Sequence, residues 1–276
     1  MKNPHPAPPS PAELECELLR TAPRPARRRA ISRLLGAGAA VLGVPGAVRA
    51  GDTALGGACL ALPEETAGPY PANGAGPSSS AANVLALPGV IRSDLRSSFD
   101  GPAGTAPGVP LQLTIRLVDA SAGCAPLSGR AVYLWHCTRD AGYSLYTREL
   151  HGENFLRGVQ VADAHGEVGF QTIFPGCYPG RYPHLHLAIY PMADGAPRYD
   201  RALLTSQLAL PNDACGAVYG EAPGYESSLH AYARISLQKD GIFGDNSAAE
   251  IAAQTVAMKG DPGRGYTGHA VVGMLG

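Results

Sequence analysis

The sequence predicts an all-β fold: a β-sandwich core of mixed topology with long loops, an extended N-terminal arm and at most short helices. Three observations carry this. The 276 residues include 35 Gly and 25 Pro, both poor helix-interior residues, which argues against a long helical bundle. Hydrophobic residues make up 45%, enough for a packed core, while no run of eighteen apolar residues supports a membrane-spanning helix. Short segments of alternating apolar and polar residues recur between Pro- and Gly-bearing turns, as in sandwiches and barrels. The formal net charge of −1 argues against a general nucleic-acid binder.

Taken in order, residues 1–50 read as an export signal. Eight Lys or Arg (Lys2, Arg20, Arg24, Arg27, Arg28, Arg29, Arg33, Arg49) face three acids (Glu13, Glu15, Glu17). The run "RRRAISR" precedes a weakly apolar stretch from Leu34 to Val48, and "VRA" at Val48–Ala50 offers small cleavage positions. Arg28–Arg29 resembles the twin-arginine type, so a periplasmic or extracellular location is expected. Without those residues 14 basic side chains stand against 20 acidic ones, a net charge of −6. Five cysteines remain (Cys59, Cys124, Cys137, Cys177, Cys215), and an odd number leaves at least one free or paired between chains, with the connectivity open.

Residues 51–108, with "GPYPANGAGPSSS", read as the N-terminal arm and loops of a single domain, and residues 109–276 as its β-sandwich core with a C-terminal extension. "LQLTIRLV" from Leu111 to Val118 alternates as a half-buried strand. "AVYLWHC", "VGFQTIF", "HLHLAIY" and "LLTSQLAL" supply four more, divided by the turns "CAPLSG", "DAHGE", "PGCYPGRYP" and "PNDACG". "SAAEIAAQTVAM" (Ser247–Met258) carries an N-terminal Ser and good helix formers, and reads as a helix.

The chemistry concentrates in "PGCYPGRYPHLHLAIY", residues 175–190. On a strand, His184 and His186 project to one face and present two imidazoles for a metal. Tyr178 lies upstream between two Pro-Gly turns that fold it back toward that face. A second Tyr-bearing turn, "WHCTRDAGYSLY", follows the strand ending near Trp135. A phenol titrates near 10, so its phenolate needs a strong Lewis acid, and two phenolates with two imidazoles suit Fe(III) better than Zn or Mg. Two other readings stay open on these residues. One is a secreted β-sandwich that binds an aromatic or carbohydrate ligand without catalysis. The other is a zinc hydrolase or cupin-type enzyme, which wants a third His or carboxylate.

Motifs along the chain resemble the intradiol ring-cleavage dioxygenases of the catechol and protocatechuate 3,4-dioxygenase type, closest to their exported single-chain relatives. They include "PEETAGPYP" (63–71), "RSDLR" (92–96), "GVPLQLTIRLVDA" (108–120), "CAPLSG" (124–129) and "RAVYLWHCTRDAGYSLY" (130–146). They continue through "NFLRGVQVADAHGEVGFQTIFPGCYPGRYPHLH" (154–186), "SQLALP" (206–211) and "DGIF" (240–243). The resemblance implies a non-haem Fe(III) enzyme acting on a catechol-type substrate with O2, with a homo-oligomer left open. It implies four iron ligands: Tyr143, eight residues after Trp135, then Tyr178, His184 and His186. Tyr146 competes for the first place, and the Trp spacing favours Tyr143. Arg181 and Gln207 match residues at the substrate, with Tyr178 as general base, and Tyr70 matches an aromatic of the arm that approaches the pocket. His136, His151, His165, His230 and His269 match no ligand. Cys177 departs from the aromatic that exported relatives often have there.

Overall fold

The computed structural model of the chain describes residues 59–74, 82–194 and 196–276. The export-signal reading of residues 1–50 and part of the "GPYPANGAGPSSS" loop lie outside the described residues.

Two sheets pack face to face. The first is built on β1 (Pro110–Asp119), which pairs with β2 (Ala125–Pro126) and β5 (Glu167–Ile173) in antiparallel fashion. On its other side β1 runs parallel to β11 (Gly265–Met274), which in turn pairs with β10 (Ala257–Asp261). The second sheet is antiparallel throughout, in the order β4 (Arg157–Val161), β3 (Ala131–Trp135), β6 (His184–Tyr190), β9 (Leu204–Ala209). A separate two-stranded ribbon joins β7 (Met192–Ala193) to β8 (Ala196–Pro197). The mixed sandwich expected from the sequence is present, and its helices are short.

Alternation decides the faces. Leu111, Leu113, Ile115 and Leu117 of β1 meet Leu185, Leu187 and Ile189 of β6 in one aliphatic core between the sheets. The intervening residues of β6 cannot face water either, because the arm covers them. Tyr70, Ala72, Val84, Leu85 and Val90 pack over Ala131, Tyr133, Trp135, Ala188 and Tyr190 as a second, aromatic-rich cluster. β6 is therefore buried on both faces, and His184 and His186 lie on the arm side.

Three expectations are corrected. "PNDACG" is not a turn but the start of α1 (Asn212–Glu221), followed by α2 (Glu226–Tyr232). Gly216 and Gly220 dilute its helix propensity, and burial of Ala214, Cys215, Val218 and Tyr219 along one side holds it. The C-terminal helix α3 spans only Ala248–Gln254, capped by a Ser247–Glu250 capping box. It stops because β-branched Thr255 and Val256 turn into the sheet, where Val256 N–H donates to Ala209 O at 3.0 Å. The C-terminal stretch is also no appendage, since β11 lies beside β1 at the centre of the first sheet.

Cys59 and Cys124 form a disulfide that ties the arm to the β1–β2 turn, while Cys137, Cys177 and Cys215 are buried thiols. No helix among the described residues is long and apolar enough to cross a membrane.

Candidate metal centre

β6 delivers His184 and His186 to the same side, and the neighbouring strands set what surrounds them. In the ladders His186 stands opposite Trp135 of β3 and Gln207 of β9. Tyr178 arrives on a tight turn in which Arg181 N–H donates to Tyr178 O at 3.3 Å. Pro179 and Gly180 fill its central positions, and Gly180 has a φ of +86° that only glycine adopts without strain. Gly176 is required for a different reason, because a Cβ there would stand 2.4 Å from Arg139 O. Tyr143 sits in a loop closed by Thr138 N–H to Gly142 O at 2.7 Å and Tyr143 N–H to Thr147 Oγ1 at 2.9 Å.

The four polar tips close into a ring. Tyr143 Oη lies 3.2 Å from Tyr178 Oη and 3.2 Å from His186 Nε2. Tyr178 Oη lies 3.1 Å from His184 Nε2, which is 3.1 Å from His186 Nε2. All four side chains are buried. Burial, and then the charge of Arg181 or of the neighbouring histidine, pushes both imidazoles well below the ordinary histidine range, so both are neutral. His184 Nδ1–H donates to Tyr182 O at 2.6 Å, which leaves Nε2 as a lone pair facing the ring. Two phenols and at most one imidazole N–H then provide three protons for four contacts, so one edge sets lone pairs face to face. A bound cation relieves that arrangement. Edges of 3.1–3.2 Å are also those of donors sharing one ion at ordinary bond lengths of about 2.0–2.2 Å. The residues thus fit a single hard, highly charged metal.

Arg181 and Gln207, separate in sequence, meet: Arg181 Nη2–H donates to Gln207 Oε1 at 2.6 Å. Arg181 Nε–H donates to Asp240 Oδ2 at 3.0 Å, and both side chains are buried. The Asp240 carboxylate also accepts from the N–H groups of Tyr182, Ile242 and Phe243 at 2.6–3.0 Å. It is thereby a saturated anchor that fixes the guanidinium. Gln207 Nε2–H donates to Thr66 O of the arm at 2.9 Å. Beside it, Glu65 accepts from Asn246 Nδ2–H at 2.8 Å, and burial raises its carboxyl to about 7.

Tyr70 packs its ring on Tyr143 with centroids 4.8 Å apart. Tyr146 does not reach the ring of donors, because its hydroxyl accepts from Ala72 N–H at 2.9 Å and holds the arm. Behind both tyrosines stands Arg157, fully buried and, among the described residues, without a carboxylate partner. Its guanidinium donates to Ser144 Oγ, Ser144 O and Tyr70 O, and lies 5.9 Å from the Tyr143 ring. His136 is buried and bonded to Thr172 Oγ1 and Cys137 O, and His151, His165, His230 and His269 are exposed.

Sequence reasoning named the six residues of the ring and its Arg–Gln flank but passed over Asp240 and Arg157 as functional groups. The signal for both was a charged residue inside a quoted motif, "DGIF" and "NFLRG", with no role of its own.

A family model described as "Dioxygenase" matches residues 90–215, a span that contains all four ring residues, Arg181 and Gln207. Chlorocatechol 1,2-dioxygenase of Rhodococcus opacus is 28% identical over 135 residues, which is 42% of this chain. The match spans about half of that relative (51%). A solved intradiol ring-cleavage dioxygenase from Tetranychus urticae superposes with a TM-score of 0.55 at 23% identity, over 79% of this chain and 95% of its own. A second solved dioxygenase does so with a TM-score of 0.56 at 24% identity over the same shares. Residues 90–215 therefore belong to the dioxygenase family, and the chain carries them on the fold of an intradiol ring-cleavage dioxygenase.

Proposed function

We propose that the protein is a non-haem Fe(III) enzyme that cleaves a catechol-type ring between its two hydroxylated carbons, adding both atoms of O2 to give a cis,cis-muconate-type diacid. The observation that carries this is the closed ring of Tyr143, Tyr178, His184 and His186. Those four side chains would hold the iron. Bound there, Fe(III) would supply the Lewis acidity that ionises an ortho-diol and makes its ring reactive toward O2.

The remaining work falls to the chain. Tyr178 Oη accepts a proton from the substrate. It is suited to this because Tyr178 itself lines a cavity of about 480 Å³, whereas Tyr143 does not and packs against Tyr70 and Arg157. Arg181 is a permanent cation held by Asp240, and it offsets negative charge on the ionised ring. Gln207 fixes the guanidinium from the other side and links it to the arm at Thr66. The arm, with Tyr70 at its inner end, keeps bulk water away.

A ligand-binding module would present its tyrosine faces to solvent, yet Tyr143 and Tyr178 are 1% and 4% exposed with hydroxyls turned inward. The zinc reading wants a third His or carboxylate, and no group of three His, Cys, Asp or Glu forms a metal cluster among the described residues. Export through the twin-arginine route is part of the proposal. It is supported by the basic and apolar order of residues 1–50 and by the Cys59–Cys124 disulfide, which suits an oxidising compartment.

The test is direct. Iron-loaded protein is expected to be wine-red from phenolate-to-iron charge transfer and to consume one O2 per catechol, across a panel of catechol, protocatechuate and hydroxyquinol. Iron-loaded protein without a visible band overturns the reading.

A further inference from the structure

The two histidines of the ring are oriented by different means. His184 follows the usual rule for a metal-ligating imidazole, donating its second nitrogen to a backbone carbonyl, Tyr182 O. His186 does not. Its Nδ1 is buried and has no hydrogen-bond partner among the described residues. The face of its ring instead stacks on Trp135, while His184 and Tyr143 meet it edge-on. Trp135 and His186 are cross-strand partners in the β3–β6 ladder, and their rings lie nearly parallel, 7° apart in plane with centroids at 5.0 Å. Tyr133, two residues earlier on β3 and thus on the same face, stacks behind Trp135 at 4.8 Å and 22°. The Tyr133 hydroxyl donates to Pro71 O at 2.8 Å, so the column Tyr133–Trp135–His186 is pinned to the arm at its outer end.

We propose that Trp135 is the positioning residue of His186. The flat indole face restrains rotation of the imidazole about its Cβ–Cγ bond and aims Nε2 at the metal, the task that the Tyr182 carbonyl performs for His184. The assignment rests on the reading of His186 as an iron ligand. It has a chemical corollary. A hydrogen-bond acceptor on the second nitrogen raises the basicity of a ligating imidazole, and stacking does not. His184 would therefore be the stronger donor of the pair to a bound iron.

The test compares iron-loaded wild-type protein with W135M, which keeps a long apolar side chain but removes the flat ring, and W135F, which keeps a ring. Loss of a group that orients a metal ligand costs about 10–100-fold in metal affinity. W135M is expected to release iron to a chelator about 10-fold faster or more, with a shifted visible band and an altered ferric EPR signal, and W135F is expected to restore most of both. A folded W135M with wild-type band, EPR signal and chelator resistance overturns the proposal. Should W135M not fold, Y133L removes the support behind the indole and is expected to change the same readouts in the same direction by less; an unchanged Y133L overturns it. Colourless wild-type protein would instead sink the iron reading itself, before Trp135 is in question.

Discussion

The two halves of the site are held by opposite kinds of force. On the Tyr178–His184 side the supports are directional and polar: the Tyr182 carbonyl, the Arg181–Asp240 ion pair and the Gln207 amide. On the Tyr143–His186 side they are aromatic faces, Tyr70 and Trp135, with Arg157 behind them. Tyr178, the phenol proposed to accept a proton, lines a cavity, and Tyr143 lies against Tyr70. The difference separates two tasks. On the proposed function, packing would hold a ligand where nothing has to move, and hydrogen bonds would hold one where protons and substrate come and go.

The comparison can be broken most severely at the ring itself. Tyr143→Phe or His184→Ala is expected to abolish iron binding and colour together, measured by metal analysis and absorbance. An iron-replete, coloured Tyr143→Phe protein would remove that residue from the ligand set.

The next effect distinguishes the two buried arginines. Asp240→Ala takes the carboxylate away from a buried guanidinium and strips three backbone N–H groups of their acceptor. A loss of about 3–5 kcal/mol is expected in denaturant unfolding of the metal-free protein. Arg157→Met removes a charge whose partners are all neutral, and is expected to cost less, about 1–3 kcal/mol. The reverse order would contradict the account of Asp240 as the anchor.

Away from the site, reducing the Cys59–Cys124 disulfide opens a 65-residue loop and is expected to cost roughly 2–4 kcal/mol of stability. The visible band of iron-loaded protein should survive below the lowered melting temperature. Its loss on reduction alone would mean that the arm depends on the disulfide to cover the site.

A further effect concerns pH. Burial lowers His136 to about 4 from 6.5, so the unfolded chain binds its proton first as pH falls. Its contribution is fully present above pH 6.5 and is lost as pH drops toward 4, by about 3 kcal/mol at most. His136→Gln is expected to flatten that part of the stability profile measured on metal-free protein.

What the sequence made legible follows from range. Strand alternation from Leu111 to Val118 and the period-two pair His184 and His186 are local patterns, and so is the Pro179–Gly180 turn that brings Tyr178 round. The choice of Tyr143 over Tyr146 came from resemblance; in the structure the Tyr143 hydroxyl joins the ring of donors, while the Tyr146 hydroxyl accepts from Ala72 N–H. The missed features rest on distant partners. Arg157 donates to a carbonyl 87 residues away, and Asp240 meets Arg181 across 59. α1 is held by burial rather than propensity, and β11 by a parallel partner at the other end of the core. Five cysteines left the Cys59–Cys124 pairing unreadable.

The central claim is tested most directly by supplying ¹⁸O2 to iron-loaded protein with catechol and weighing the product. Incorporation of both labelled atoms into a ring-opened diacid is the predicted result. A product carrying one labelled atom or none, or a ring-opened semialdehyde, would contradict it.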